Sequence, residues 1–262
     1  MDKVRESAED TRDSLPQTVE RSSAMRDVPL VAAALLSLVA GAVLAAPTQA
    51  ACPAAPVRQA PPAVRIAVEH GPVGRDDTIG LADLARRSRE DGAAAGESVA
   101  RVLGLTTSDT EFQVVVRSRV VEPAEDGGAA CAIPVGVEVR LALVRRVVHV
   151  AREVAGDPCL RGEVLAHETR HVATDDALLD DYRSRLLPRF REAAAALRPV
   201  EAATAEAAQR TLLRDVQATN SAALADFEAE RRRRQTAIDS SEERARFGKV
   251  CGGRARALRP ES

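Results

Sequence analysis

The feature that most constrains the fold of this chain is the pentapeptide His167-Glu168-Thr169-Arg170-His171, which lies inside its longest helical pattern. Residues four apart on an α-helix lie one turn apart and are offset by about 40° around the axis. Both imidazoles can therefore reach one metal ion from the same helix face. Glu168 can then take a proton from a metal-bound water. The sequence thus predicts a zinc site with His167 and His171 as ligands and Glu168 as the general base.

A catalytic zinc usually has a third protein ligand, and the sequence leaves its identity open. Thr174 and Ala177 occupy the positions where an extended motif would carry glycine and a third histidine, so we expect an acidic ligand from a later helix. Glu206 is our first choice, because it falls on the apolar stripe of the last long helical pattern. The alternatives are Glu192, Asp239 and Glu243.

Two acidic residues extend the histidine pair along the same helix face. Glu163 lies four residues before His167, and Asp175 lies four residues after His171. Either carboxylate could accept a hydrogen bond from an imidazole and orient it towards the metal. For Asp175 the alternative is a solvated helix face, which it would share with other aspartates.

The N-terminal residues 1–51 predict an exported protein. Residues 28–46 form an apolar run with Arg26 ahead of it and small residues after it, which is typical of a secretion signal. The same run is long enough to anchor the chain in the inner membrane if it is not cleaved. Met25 is a plausible alternative start of translation. We expect the mature protein in the periplasm, in the cell envelope or secreted.

All four cysteines follow the apolar run, and in an exported chain they predict two disulfides. The spacing alone does not decide the pairing. We favour Cys131 with Cys159, which would join the strand region to the start of the motif helix. Cys52 would then pair with Cys251 and tie the two ends of the mature chain.

Composition excludes one class of partner and restricts the core. The 37 basic and 39 acidic residues give a formal net charge of −2, so nothing favours nucleic-acid binding. One tyrosine, four phenylalanines and no tryptophan leave the core to be built from aliphatic side chains.

Hydrophobic periodicity predicts an α+β fold, with a small antiparallel β region followed by a helical half that carries the motif. Residues 52–63 are interpreted as a linker and 64–262 as a single domain, strand-rich over 64–156 and helical over 157–262. The alternating segments 112–121 and 137–143 predict strands. Arg145-Arg146 is interpreted as a hairpin turn that leads into a return strand at 147–151.

The helical half begins at Asp157, a predicted N-cap, with Pro158 at the first helical position. We expect this helix to run to Leu187 and to break or kink at Pro188. A short helix over 189–197, a long helix over 200–236 and a capping box formed by Ser240 and Glu243 should follow. Glu243 follows Ser240 by three residues, the spacing of a capping box.

The segment 148–179, with Cys159 just ahead of GEVLAHETRHVATDDALL, resembles predicted zinc-dependent proteases among exported bacterial proteins. It is similar, more loosely, to the gluzincin metallopeptidases, whose third ligand is a glutamate on a later helix. The resemblance implies His167 and His171 on zinc, Glu168 as the base, and a peptide or protein substrate. The chain departs from that pattern by showing no clear second motif for the third ligand.

The predicted function is therefore a zinc-dependent hydrolase, a metallopeptidase of the cell envelope. The alternative is a non-catalytic envelope protein whose long helices bind a partner and whose motif is structural or vestigial. A third protein ligand with an open fourth position would favour the enzyme. A closed four-ligand shell, or no third ligand, would favour the alternative.

Overall fold

The computed structural model describes Cys52 and residues 60–90, 102–123 and 128–258, all within one compact unit, Pro47–Ser262. The elements in chain order are β1 (Ala63–His70), β2 (Val73–Asp76), α1 (Leu81–Glu90), β3 (Gly104–Val121), β4 (Ala130–Val150), α2 (Arg152–Ala155), α3 (Pro158–Ala196), β5 (Val200–Ala202), α4 (Ala205–Ile238), α5 (Ser241–Phe247) and an irregular 3₁₀ segment (Val250–Arg256). The α+β class predicted from the sequence is confirmed.

The apolar run 28–46, on which the predictions of a signal and of a membrane anchor rest, lies outside the described residues. Within the described part of the chain, no helix combines the length and the apolar character needed to cross a bilayer.

The sheet is organised around β4, which spans 21 residues. One edge of β4 pairs with β3 in antiparallel orientation, from Gly104 opposite Val150 to Val121 opposite Cys131. The other edge pairs in turn with β5, β1 and β2, of which β1 and β2 run parallel to β4. The sheet is therefore mixed, and the expectation of a purely antiparallel region was wrong. A parallel pair needs a long connection, and more than 50 residues separate β1 from β4.

The predicted hairpin turn at Arg145-Arg146 is a β-bulge inside β4. Thr107 lies opposite Val147 and Asp109 opposite Val144, so β4 carries one extra residue at this point. Arg145 takes up the distortion with a φ of 48°. The strand continues through the bulge instead of reversing, because β3 pairs with it on both sides.

The bulge turns Arg146 inward, where it is 4% exposed. Its guanidinium lies 2.8 Å from Oδ1 of Asp176 on α3 and donates to the backbone oxygen of Gly71 at 3.2 Å. This contact fixes the sheet against the middle of α3.

Helix α3 begins as predicted, with the Asp157 side chain accepting hydrogen bonds from the backbone N–H groups of Cys159 and Leu160 at 3.0 and 3.2 Å. The predicted break at Pro188 was wrong, since α3 is one helix of 39 residues. Leu186 and Phe190, on either side of the proline, are fully buried and hold the helix against the core.

Helix α4 starts later than predicted, because residues 200–202 pair with β4 as β5. The side chain of Thr204 caps α4 by accepting from the backbone N–H of Ala207 at 3.2 Å. The Ser240 half of the predicted capping box of α5 is confirmed, with Ser240 Oγ accepting from the backbone N–H of Glu243 at 3.2 Å. The Glu243 carboxylate contacts His167, Arg170 and Arg246. Helices α3 and α4 run antiparallel, as the pairs Asp175–Arg231 and Arg189–Asp226 require.

Two apolar clusters lie on either side of the motif along α3. One cluster fills the space between the sheet and the helix pair. Its largest fully buried members include Leu141, Leu143, Leu178, Leu186, Leu212, Phe190 and Phe227. The second cluster surrounds the start of α3 through Leu160 and Val164. The polar residues of the motif therefore occupy the stretch of α3 between two cores.

The prediction of two disulfides is confirmed, but the predicted pairing was wrong. Cys52 pairs with Cys131, and Cys159 pairs with Cys251. A continuous strand rises about 3.3 Å per residue, so Cys131 lies up to about 60 Å along β4 from the end that leads into α3. The predicted hairpin would have returned the chain towards Cys131 and made the other pairing possible. Two disulfides are typical of exported proteins, which fold in an oxidising environment.

Candidate metal centre

Three ligand atoms come together at the start of α3. His167 Nε2 lies 3.1 Å from His171 Nε2, and Oδ1 of Asp239 lies 3.0 Å from the first and 3.2 Å from the second. Two ligands at 2.0–2.2 Å from a tetrahedral zinc ion lie about 3.3–3.6 Å apart. The three atoms are therefore spaced nearly as three corners of a tetrahedral shell, and this group could hold a metal ion.

The antiparallel pairing of α3 with α4 supplies the carboxylate. Asp239 is the C-cap residue of α4, so it lies where that helix ends beside the start of α3. The sequence marks this position weakly: Arg231, Gln235 and Asp239 follow one another at four-residue intervals, as residues on one helix face do. From the sequence alone, Asp239 was only an alternative ligand.

The preferred third ligand, Glu206, is not brought to the histidines. It lies in the first turn of α4, and a rise of 1.5 Å per residue puts it about 50 Å from Asp239 along the helix. Glu192 lies on α3 itself, about 30 Å beyond His171 by the same measure. Glu243 is close, but it contacts Nδ1 of His167 instead of the Nε2 atom that faces Asp239.

Glu168 is buried under β3 and is 5% exposed. Thr106 Oγ1 donates a hydrogen bond to its Oε2 at 2.8 Å. Burial raises the pKa of Glu168 above its ordinary value, although the nearby positive charge of His171 acts in the opposite direction. A carboxyl group whose pKa is shifted towards neutrality is suited to taking up and releasing a proton.

Helix α4 contacts the ring atom of His171 that faces away from the three ligand atoms. This atom, Nδ1, makes a short contact with Oε1 of Gln235, whose amide nitrogen donates to Oδ1 of Asp175 at 2.5 Å. Asp175, which the sequence predicts as an acceptor for an imidazole, reaches His171 only through this amide. Arg231 pairs with both Asp175 oxygens at 3.0 and 2.9 Å. Sequence reasoning missed Gln235 and Arg231.

His167 is held by α5. Oε1 of Glu243 lies 3.2 Å from its Nδ1, and Arg170 contacts both groups. Arg246 donates to Glu243 and, at 2.7 Å, to Oε2 of Glu163. Glu163 therefore supports the site through Arg246 and does not accept from an imidazole as predicted.

The charges of the site stabilise one another. Hydrogen bonds from Arg246 first, and also from Arg170, lower the pKa of Glu243 to about 2. Burial opposes ionisation of Asp239, but its hydrogen bonds with His167 and His171 outweigh burial and hold its pKa below the ordinary value. Burial alone would lower the pKa of His171, yet Asp239 and Glu168 raise it. Asp239 is thus held ionised and ready to act as a ligand.

The site is reached from the side of Asp239. Its side chain is 43% exposed, whereas those of His167 and His171 are 12% and 11% exposed. Two other side chains that could transfer a proton, His149 and Tyr182, make their contacts away from these ligand atoms. His149 is buried in the sheet between Asp76 and Thr107, and Tyr182 packs edge-on against a phenylalanine ring.

In comparisons with known proteins, no family model, curated protein or solved structure matches this chain. The resemblance to zinc-dependent proteases therefore depends on the motif segment alone. The geometry of the site is the main evidence for a function.

Proposed function

We propose that the protein is an exported zinc-dependent hydrolase, and specifically a metallopeptidase acting in the cell envelope. The observation that carries the proposal is the triangle of His167, His171 and Asp239 beside the buried carboxyl of Glu168. Among the described residues this group offers three ligand atoms, which leaves a fourth position for water or substrate.

A zinc ion in the triangle would polarise a carbonyl group and lower the pKa of a water molecule beside it. Glu168 takes the proton that this water gives up when it attacks the carbonyl carbon. The same carboxyl then passes the proton to the leaving amine, which separates from the peptide. The buried position of Glu168 suits both steps, because it brings the pKa closer to neutrality.

The choice of a peptide as substrate comes from the resemblance of the motif segment to exported bacterial proteases. In the gluzincins the third ligand is a glutamate within a later helix, whereas here it is an aspartate that caps one. The shorter side chain suffices because Asp239 lies directly beside the histidines. Export is supported by the two disulfides and by the apolar run 28–46.

The first test is the zinc content of the purified mature protein, with wild type beside His171→Ala and Asp239→Ala. We expect about one zinc per chain in the wild type and a large loss in both variants. A folded wild type that takes up no zinc would contradict the enzyme and leave the partner-binding alternative.

The second test separates catalysis from metal binding. Glu168→Gln should keep its zinc, because this residue is not a ligand, and should lose activity by a factor of about 10²–10⁴ on a library of unstructured peptides. Bound zinc without hydrolysis in the wild type would instead favour a structural metal, since the cluster joins α3 to the end of α4.

A further inference from the structure

We infer that Gln235 determines how His171 binds the metal, by holding the imidazole proton on Nδ1 so that Nε2 is free for the ion. This inference rests on the proposed zinc site and adds to it a positioning residue outside the motif. Residues spaced four apart on α3 face residues spaced four apart on α4 and its C-cap, and each faces one partner. The three pairs in contact are His167–Asp239, His171–Gln235 and Asp175–Arg231.

The orientation of the Gln235 amide is fixed by its neighbours. Its nitrogen faces two groups that can only accept, the backbone oxygen of His171 at 3.2 Å and Oδ1 of Asp175 at 2.5 Å. Arg231 also donates to both oxygens of Asp175, so both of these oxygens act as acceptors. A flipped amide would place an oxygen against both acceptors. Oε1 of Gln235 must therefore face the imidazole.

The amide oxygen in turn determines the tautomer of His171. An amide oxygen has no proton to donate, so its contact with Nδ1 is a hydrogen bond only if Nδ1 carries the hydrogen. When His171 is neutral, as it must be to bind a metal ion, its lone pair then lies on Nε2, the atom that faces Asp239 at 3.2 Å and His167 Nε2 at 3.1 Å. The order of dependence runs from Arg231 through Asp175 and Gln235 to His171.

Burial makes the amide hard to replace. Over the whole residue Asp175 is 2% exposed and His171 is 8% exposed, and Gln235 between them is half-buried, so water has limited access to these hydrogen bonds. Removal of the Gln235 oxygen would leave Nδ1 without an acceptor and free the ring to turn or to move its proton. Both changes take the Nε2 lone pair away from the metal.

The test is the zinc affinity of Gln235→Met, measured by competition with a chelating dye, together with the absorption spectrum of the Co²⁺-loaded protein. Methionine has a similar length but no strong acceptor. We expect zinc binding about 10–100-fold weaker than wild type and an altered Co²⁺ spectrum.

A matched control breaks another ion pair between the same two helices. Arg234 donates to Oδ2 of Asp181 at 2.6 Å, and that pair does not contact the imidazoles. Asp181→Asn should leave zinc affinity and the Co²⁺ spectrum unchanged. Asp175→Asn, which lets the Gln235 amide turn, should weaken zinc binding although it touches neither the ion nor His171.

The outcomes separate this inference from the proposed function. If folded Gln235→Met binds zinc and Co²⁺ as the wild type does, the inference is overturned while the zinc site remains. If Gln235→Met does not fold, unchanged zinc binding in Asp175→Asn overturns it equally. A wild type that takes up no zinc overturns the proposed function and this inference together.

Discussion

At Gly104 the first residue of β3 comes so close to α3 that no side chain fits between them. A Cβ atom there would lie 2.7 Å from Oε1 of Glu168 and 2.6 Å from a methyl carbon of Val164. Neither neighbour can move far, because Thr106 holds the Glu168 carboxyl and Val164 is buried. The position of the proposed base therefore depends on a glycine 64 residues away in the sequence.

We predict that Gly104→Ala lowers the free energy of unfolding by about 1–3 kcal/mol, because the added methyl group overpacks this contact. It should also displace Glu168 and reduce hydrolysis more than zinc content. Urea denaturation and zinc analysis of the same preparation measure both effects.

Gly162 provides the control for this substitution. It lies on α3 with open space where a Cβ would be, so Gly162→Ala should raise the free energy of unfolding by about 0.5–1 kcal/mol. A Gly104→Ala variant as stable as the wild type would show that the contact is looser than described.

At the scale of the elements, helix α3 stays continuous through Pro188 because its packing against the core outweighs the helix-breaking effect of the proline. Pro188 is exposed and removes one hydrogen bond from the helix interior, yet the buried neighbours Leu186 and Phe190 keep the helix continuous. We predict that Pro188→Ala raises the free energy of unfolding by about 1–3 kcal/mol, as measured by chemical denaturation. A loss of stability in the variant would mean that the proline stabilises the protein more by restricting the unfolded chain than it destabilises the helix.

The two disulfides provide a matched pair of elements. They close 79 and 92 residues, so in the chain-entropy model each stabilises the fold by about 4.5 kcal/mol. Only Cys159–Cys251 joins the segment after α5 to the start of the motif helix.

We therefore predict that replacing Cys159 and Cys251 by serine weakens zinc binding, because α5 and the end of α4 are no longer held against α3. Replacing Cys52 and Cys131 should lower stability by a similar amount and leave zinc affinity unchanged. Zinc titration of both double variants, at a temperature where each is folded, makes the comparison. Equal losses of affinity would contradict a local role for Cys159–Cys251.

Element predictions succeeded where neighbours in sequence decide and failed where distant contacts decide. The start of α3 follows from Asp157 and Pro158, and the cap of α5 follows from Ser240. The bulge at Arg145 looked like a turn, because only pairing with β3 shows that the strand continues through it. The disulfide pairing was wrong for a similar reason, because only the fold shows that Cys131 lies at the far end of β4 from α3.

At the scale of the whole molecule, His70 joins the end of β1 to α3. Its Nδ1 lies 2.8 Å from Oδ1 of Asp176 and its Nε2 lies 3.3 Å from Oδ1 of Asp180. The hydrogen bond with Asp176, more than any other contact, raises the pKa of His70 above its ordinary value of 6.5. The folded chain thus holds the proton of His70 more tightly than the unfolded chain does.

This contact predicts a pH dependence of stability. A raised pKa in the folded state contributes stability that is fully present below pH 6.5 and is lost as the pH rises through the folded pKa. We expect His70→Asn to be less stable than wild type at pH 6 and to approach it at pH 9. Denaturation curves of both proteins at the two pH values test this. A difference that grows with pH would contradict the assignment.

The candidate site shows the same limit on a larger scale. The pentapeptide sufficed to place His167, His171 and Glu168 on one helix, because their spacing is local. Asp239 could not be singled out from Glu206 and Glu192, because the choice depends on the antiparallel pairing of two helices of 39 and 34 residues. Only the three-dimensional arrangement decides which acidic residue meets the histidines.

The distance in sequence between the proposed ligands has a consequence for how the protein would take up a metal ion. Synthesis and export proceed from the N-terminus, so both histidines emerge well before Asp239, which follows His171 by 68 residues. Until α4 has emerged and folded back along α3, a metal ion meets only an imidazole pair on an unsupported helix, which would hold it weakly. Tight metal binding at the proposed site would therefore be a late event, completed on the far side of the membrane if the chain is threaded through it unfolded.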